Sequence, residues 1–132
     1  MVTHYEKLEV WQKAMDMVDG IYDLTAKFPS DEKYGLTSQL RRSAVSVPSN
    51  IAEGASRDST KDFLRFLSIT LGSLAEVETQ LRISTRQGFA TEIDLQRIAD
   101  KTQEIGRMTR GLQKSLQTKL ATNHQPPATH YA

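Results

Sequence analysis

The stretch STKDFLRFLSITLGSLAEVETQLRISTRQG, residues 59–88, decides the fold. Phe63, Leu64, Phe66, Leu67, Leu71, Leu74, Ala75, Val77 and Leu81 recur at intervals of three and four, the period of a helix with one buried face. Ser59 is followed three residues later by Asp62, which is the form of a capping box, a hydroxyl and a carboxylate that satisfy the free N–H groups of a first turn. Gly88 supplies the stop, because glycine enters the left-handed region at little steric cost. The pattern predicts a helix over 60–87.

Outward from that helix the same period continues in both directions. Towards the C-terminus, Thr91-Glu92-Ile93-Asp94 repeats the capping-box form, and Leu95, Ile98, Thr102, Ile105, Thr109, Leu112 and Leu116 follow a heptad-like stripe. A helix from Glu92 to Leu120 is expected. Towards the N-terminus, Leu36, Leu40, Ala44, Val47 and Ile51, with Ser43 and Gly54 as small contacts, mark the inward face of a helix from Thr37 to Ala55. Pro48 lies within it, has no N–H for the carbonyl of Ala44, and predicts a kink.

The first helix is expected from Glu6 to Lys27, closed by Pro29, which disfavours a helical Phe28. Val10, Trp11, Ala14, Met15, Met17, Val18, Ile21, Tyr22, Leu24 and Phe28 fill one half of its wheel, while acids, lysines and Gln12 fill the other. Such an arc is wider than one core needs. Val10, Met17 and Leu24 are read as its outer edge, and Val45, Pro48 and Ala52 as small apolar groups off the main face of the next helix. Together they predict a second apolar surface and hence an oligomer interface. Strand-like alternation is nearly absent, and short links make successive helices antiparallel neighbours. The expected fold is therefore all-α, an up-and-down antiparallel four-helix bundle over residues 1–120, followed by a disordered tail over 121–132 that carries Pro126-Pro127.

Composition narrows the function. The chain has 132 residues, enough for one domain with a real core. Seventeen Lys and Arg face sixteen Asp and Glu, a net charge of +1, so bulk charge does not mark a nucleic-acid binder and only a local patch could. There is no cysteine, which removes disulfides, thiol catalysis and thiolate metal sites, and which fits a reducing cytoplasm. No apolar run is long enough to span a bilayer, and the first six residues have no apolar leader segment, so no membrane partner is expected. The histidines are His4, His124 and His130, all near the ends, and no Glu-x-x-His pair exists to build a bundle-core metal site. No phosphate loop, dinucleotide fingerprint or nucleophile elbow occurs. No catalytic residue, cofactor or metal is expected, and the chain reads as a non-enzyme.

Three groups of polar residues remain to be explained. Glu78 falls among Leu71, Leu74 and Leu81, and reads as a buried carboxylate that needs a cation or several donors, with Arg41 or Arg42 as the candidate partner. Gln39, Arg42, Ser46, Asn50 and Glu53 share a stripe beside the core face of the second helix. That stripe is either a recognition groove for a polar ligand or RNA, or a hydrogen-bond network between helices or subunits. Arg107, Arg110 and Lys114 lie within about 60° of one another on the last helix. They either contact phosphates or answer the negative end of the helix dipole. No aromatic lies among them, so an RNA contact there would be to the backbone.

Three stretches together resemble the 23S rRNA intervening-sequence protein family, also called four helix bundle proteins. They are Leu8-Glu9-Val10-Trp11-Gln12-Lys13-Ala14, then Phe28-Pro29 with the run from Tyr34-Gly35-Leu36 through Arg41-Arg42-Ser43 to Pro48-Ser49-Asn50-Ile51-Ala52-Glu53-Gly54, and finally residues 71–81, LGSLAEVETQL. The similarity covers about residues 5–117. It implies a left-handed up-and-down bundle that assembles as a homopentameric ring, with association with RNA as the usual suggestion for its role. It also implies that Gln39, Arg41, Arg42, Pro48, Asn50, Glu53, Gly54 and Glu78 occupy signature positions, and it brings no catalytic residues. The resulting expectation is a cytoplasmic, non-enzymatic homo-oligomer whose partners are itself and RNA or a nucleoprotein. The alternatives are a protein-interaction scaffold and an enzyme with Glu53 or Glu78 as a carboxylate base.

Overall fold

The computed structural model describes residues 4–123. Four helices carry the fold: α1 (Glu9–Thr25), α2 (Leu36–Ala55), α3 (Thr60–Arg86) and α4 (Glu92–Asn123). Single 3-10 turns, Tyr5–Lys7 and Ser30–Glu32, precede α1 and α2. No strand occurs among the described residues. Each helix packs on two others, in the cycle α1–α2–α3–α4–α1, with no diagonal contacts of comparable extent. Cross-links run in opposite directions along adjacent helices: Ser43 meets Gln80 and Ser46 meets Ser73, while Glu78 meets Thr102 and Ser68 meets Gln113. The chain is therefore an up-and-down antiparallel four-helix bundle.

The ends of the helices follow the expected chemistry. Asp62 N–H donates to the Ser59 hydroxyl at 3.0 Å. At α4 the exchange is mutual: Asp94 N–H donates to Thr91 Oγ1 at 3.1 Å and Thr91 N–H donates to Asp94 Oδ2 at 3.2 Å. The Thr91 N–H first, and its hydroxyl second, hold the Asp94 carboxyl below the usual carboxylate range. Partial burial opposes them, and the charges of Arg97 and Lys27 assist. Gly88 takes φ +81°, which lets Phe89 N–H reach Ser84 O at 2.9 Å and Gly88 N–H reach Thr85 O at 3.0 Å, the two bonds of a Schellman stop. The same turn delivers the Phe89 ring to Phe28, 5.9 Å between centroids, and closes that end of the bundle over α1.

Several boundaries move: α1 spans Glu9–Thr25 instead of Glu6 to Lys27, and α2 starts at Leu36 instead of Thr37. α4 continues through 121–123, where a helical stop was expected after Leu120; the chain offers no breaker until Pro126. The remainder of the expected tail, with His124 and His130, lies outside the described residues. α2 runs unbroken through Pro48, which is buried.

The core is one cluster drawn from all four helices, including Ile21, Leu40, Ile51, Leu67, Leu81 and Ile105. It also contains hydroxyls, and four of them turn back onto their own helix. Thr25, Thr70, Ser84 and Thr109 donate to the carbonyls of Ile21, Phe66, Gln80 and Ile105 at 2.7, 3.0, 2.8 and 2.7 Å. No buried side-chain nitrogen or oxygen among the described residues lacks a partner.

The first helix corrects the reading of its faces. Val10, Met17 and Leu24 do not form an outer edge; they are buried in the chain's own core, Met17 at 0% exposure. Pro48 is buried as well, and Ala52 is half-covered. The edge that stays outside is the opposite one, with Met15 at 40% and Tyr22 at 43% exposed, and Trp11 and Val18 half-buried beside them. The reason is geometric. A wide apolar arc has two edges, and the position of α4 decides which one is covered.

Gly54 lies where α2 and α3 come closest. A Cβ there would stand 2.7 Å from Phe66 Cβ and 2.9 Å from Phe63 Cδ1. Because Phe66 Cβ is bonded to the backbone, it cannot swing away, and Gly54→Ala should cost roughly 1–3 kcal/mol in denaturant unfolding. A second prediction concerns acid. The folded pKa of Asp94 is depressed, so its contribution is complete above the unfolded value of about 3.9 and disappears as pH falls through the folded value. The stability difference between the wild type and Asp94→Asn should be flat above that range and shrink below it, as followed by urea melts along a pH series.

Candidate functional site

The helix registers bring two of the polar groups together. α3 and α4 leave between them a cleft of about 350 Å³. Its α3 wall holds Leu71, Leu74, Ala75 and Glu78; its α4 wall holds Thr102, Gly106, Arg107 and Arg110. Glu78 is half-buried at this wall rather than enclosed. Its Oε2 accepts a hydrogen bond from Thr102 Oγ1 at 2.6 Å. That hydroxyl, 1% exposed, also lies 2.9 Å from Ala99 O, and its single proton must choose between the two acceptors.

Neither expected arginine partners Glu78. The flank of α3 that faces α2 is occupied by Ser73 and Gln80, and Glu78 sits on the other flank, facing α4. Arg41 turns towards α1, where its Nε donates to Thr25 Oγ1 at 2.8 Å and its guanidinium stacks 4.5 Å from the centroid of Tyr22. Arg42 is exposed on the α2–α3 side.

The stripe of α2 divides. Gln39, Arg42 and Ser46 line a groove of about 480 Å³ with Ser43, Glu76 and Gln80. Within it the Ser43 hydroxyl lies 3.0 Å from Gln39 O and 2.9 Å from Gln80 Oε1, and the hydroxyls of Ser46 and Ser73 bond to one another. Asn50 Nδ2 donates to Ser46 O at 2.8 Å. Glu53 points elsewhere, onto Arg57 at 3.2 Å, in a hollow with Tyr5 and Ala52. The upper part of the stripe is thus an interhelical network with an open polar mouth.

The basic stripe is exposed. Arg107, Arg110 and Lys114 all face solvent, and none is within 4.0 Å of a carboxylate among the described residues. Arg107 and Arg110 reach the cleft of Glu78, a meeting that the separate stripes did not announce. Among the described residues no cluster of three or more His, Asp and Glu could hold a metal ion, and no helix is long and apolar enough to cross a membrane. His4 stands exposed before the first 3-10 turn.

The class defined by this fold and these surfaces is an all-α up-and-down bundle with a basic, clefted face. Residues 6–111 match the family described as 23S rRNA-intervening sequence protein, and the chain belongs to that family. A crystal structure of a protein of unknown function from the S23 ribosomal protein family of Bacteroides thetaiotaomicron is similar, with a TM-score of 0.74 and 25% identity over 80% of this chain and 98% of the other. No curated protein matches the chain.

Since Glu78 lies at a cleft wall with one neutral donor, no buried cation is stranded when it is removed. Glu78→Leu should therefore keep a cooperative melt and change stability by less than about 1 kcal/mol, checked by circular dichroism.

Proposed function

We propose that this chain works without catalysis, as a self-assembling helical bundle that contacts RNA phosphates through the basic face of α4. The observation that carries the reading is the uncovered edge of α1. Met15 and Tyr22 are exposed, and Trp11 and Val18, which pack on the margin of the core, are only half-covered, so the four form an apolar stripe along that edge. Across the seam, α2 adds Val45, 40% exposed, and Arg41 is already stacked on Tyr22. The edge of a Tyr5–Trp11 ring pair, 5.4 Å between centroids, extends the surface towards Ala52. A second copy laid on this seam would cover all of it, and the resemblance to the family sets the expected number of copies at five. Val45 and Ala52 keep their place in the proposed interface; Val10, Met17 and Leu24 leave it.

For the nucleic-acid part, Arg107, Arg110 and Lys114 supply cations free to meet phosphates, in a family that takes its description from intervening sequences of 23S rRNA. The non-enzymatic part is supported by the partners of the two carboxylates considered as bases. Glu53 is paired with exposed Arg57 and Glu78 with Thr102, with no imidazole beside either among the described residues and no thiol in the chain. The lack of cysteine supports a cytoplasmic setting. A protein-interaction scaffold is the second reading, and the α2–α3 groove favours it: Arg42 and Glu76 present both signs of charge there, which suits a peptide better than a polyanion.

Light scattering of the purified protein should give a mass near five times 14.8 kDa, and Met15→Glu with Tyr22→Glu should reduce it to that of one copy. A monomer in the unmodified protein would remove the assembly. For RNA, replacing Arg107, Arg110 and Lys114 by Glu should abolish most binding to structured RNA, and neutralising them should lower the slope of log K against log salt by about 2–3. Protein partners that persist after RNase treatment, with no salt-sensitive RNA binding, would favour the scaffold.

A further inference from the structure

We infer that the α3–α4 cleft binds one unpaired guanine nucleotide, with the base edge on Glu78 and the phosphate on Arg107 and Arg110. This inference rests on the RNA reading above and names what that face would recognise. Its first support is the carboxylate. Glu78 is held through one oxygen by a buried threonine hydroxyl at 2.6 Å, which narrows its range of positions before a ligand arrives. Among the described residues its Oε1 has no hydrogen bond, and no ion pair holds it. An ionised carboxylate is acceptor-only, so it selects a ligand that offers two donors side by side. Among the four RNA bases, only guanine carries this on its pairing edge, at N1–H and N2–H. Adenine and cytosine present a donor beside an acceptor, and uracil places its N–H between two carbonyls. Each of those turns a lone pair towards Glu78.

The rest of the cleft completes the match. Leu71, Leu74 and Ala75 give an apolar wall against which a flat ring can lie. At Gly106 the walls converge, since an added Cβ would stand 4.0 Å from Leu74 Cδ1, so the ring would lie nearer the mouth, beside Leu71 and Ala75. Arg107 and Arg110 stand along the α4 wall, one turn apart, where a phosphate attached to the bound nucleoside would meet two guanidinium groups. The volume of about 350 Å³ is at the small end of ligand pockets and suits a single nucleotide rather than a duplex. Because the pairing edge must be free, the target would be a loop, bulge or single strand.

The test uses the full chain and four fluorescent nonamers of uridine whose central residue is G, A, C or U, followed by anisotropy at fixed salt. The G-containing strand is expected to bind about tenfold more tightly than the others. Glu78→Gln, whose amide turns a donor towards guanine, should erase the difference among the four strands, while Arg107→Ala with Arg110→Ala should weaken all four. Should Glu78→Gln fail to fold, the comparison among the four strands on the unmodified protein still decides. Equal binding of the four strands would overturn the guanine site and leave RNA binding standing. No binding to any strand would sink the RNA reading and this inference together. A competition with guanosine monophosphate separates the two sources of the ligand: displacement at equal concentration supports the cleft as a guanine site and makes the free nucleotide its occupant, whereas displacement only at large excess supports a guanine held within RNA.

Discussion

In this bundle each helix touches two neighbours, and that limit governs the rest of the structure. A helix in such a square can hide one stripe fully and must leave its flanks to solvent or to another molecule. α3 and α4 meet the limit with narrower stripes, leaving Ile69, Ile83 and Ile93 as isolated exposed apolar residues. α1 does not, because its apolar half-wheel is too wide. Once Ile21 and Met17 are turned inward, Trp11, Met15, Val18 and Tyr22 are left along the seam with α2. The exposed seam is therefore a consequence of packing α1 at all.

The polar content of the interior follows another economy. Threonine and serine would weaken a core if their hydroxyls had to find partners across helices. Here Thr25, Thr70, Ser84 and Thr109 turn back onto carbonyls of their own helix, so Thr70 and Thr109 are enclosed at 0% exposure without a cross-helix partner, while Ser43 and Ser73 also bond across α2 and α3. Thr102 departs from this pattern because its hydroxyl also faces Glu78. The one core hydroxyl that reaches an acidic side chain is the one beside a cleft, and it converts a mobile carboxylate into an oriented acceptor.

That cleft depends on register. Glu78 and Arg107 are far apart in sequence and belong to helices with separate apolar stripes. An antiparallel α3–α4 pair places them on facing walls only when residue 78 is opposite residue 102, a register set by the Gly88 turn and the Thr91–Asp94 cap between the two helices. The same opposition leaves Arg41 with Thr25 and Tyr22, so the cation first considered for Glu78 serves α1 instead.

Helix number, caps and the identity of most core residues were legible along the chain, because a 3.6-residue period and a Thr-x-x-Asp or Ser-x-x-Asp start are local properties. Leu40, Val47, Leu81 and Ile105 lie inside as their spacing required. What a single helix cannot contain is which of its two flanks meets a neighbour. Hence the wheel alone puts Val10, Met17 and Leu24 at an outer edge and leaves Glu78 free to face α2, whereas packing buries the first three and turns Glu78 to α4. A wheel records angles within one helix, whereas burial and partnership depend on the angles between helices. Those are set only when all four pack around one core.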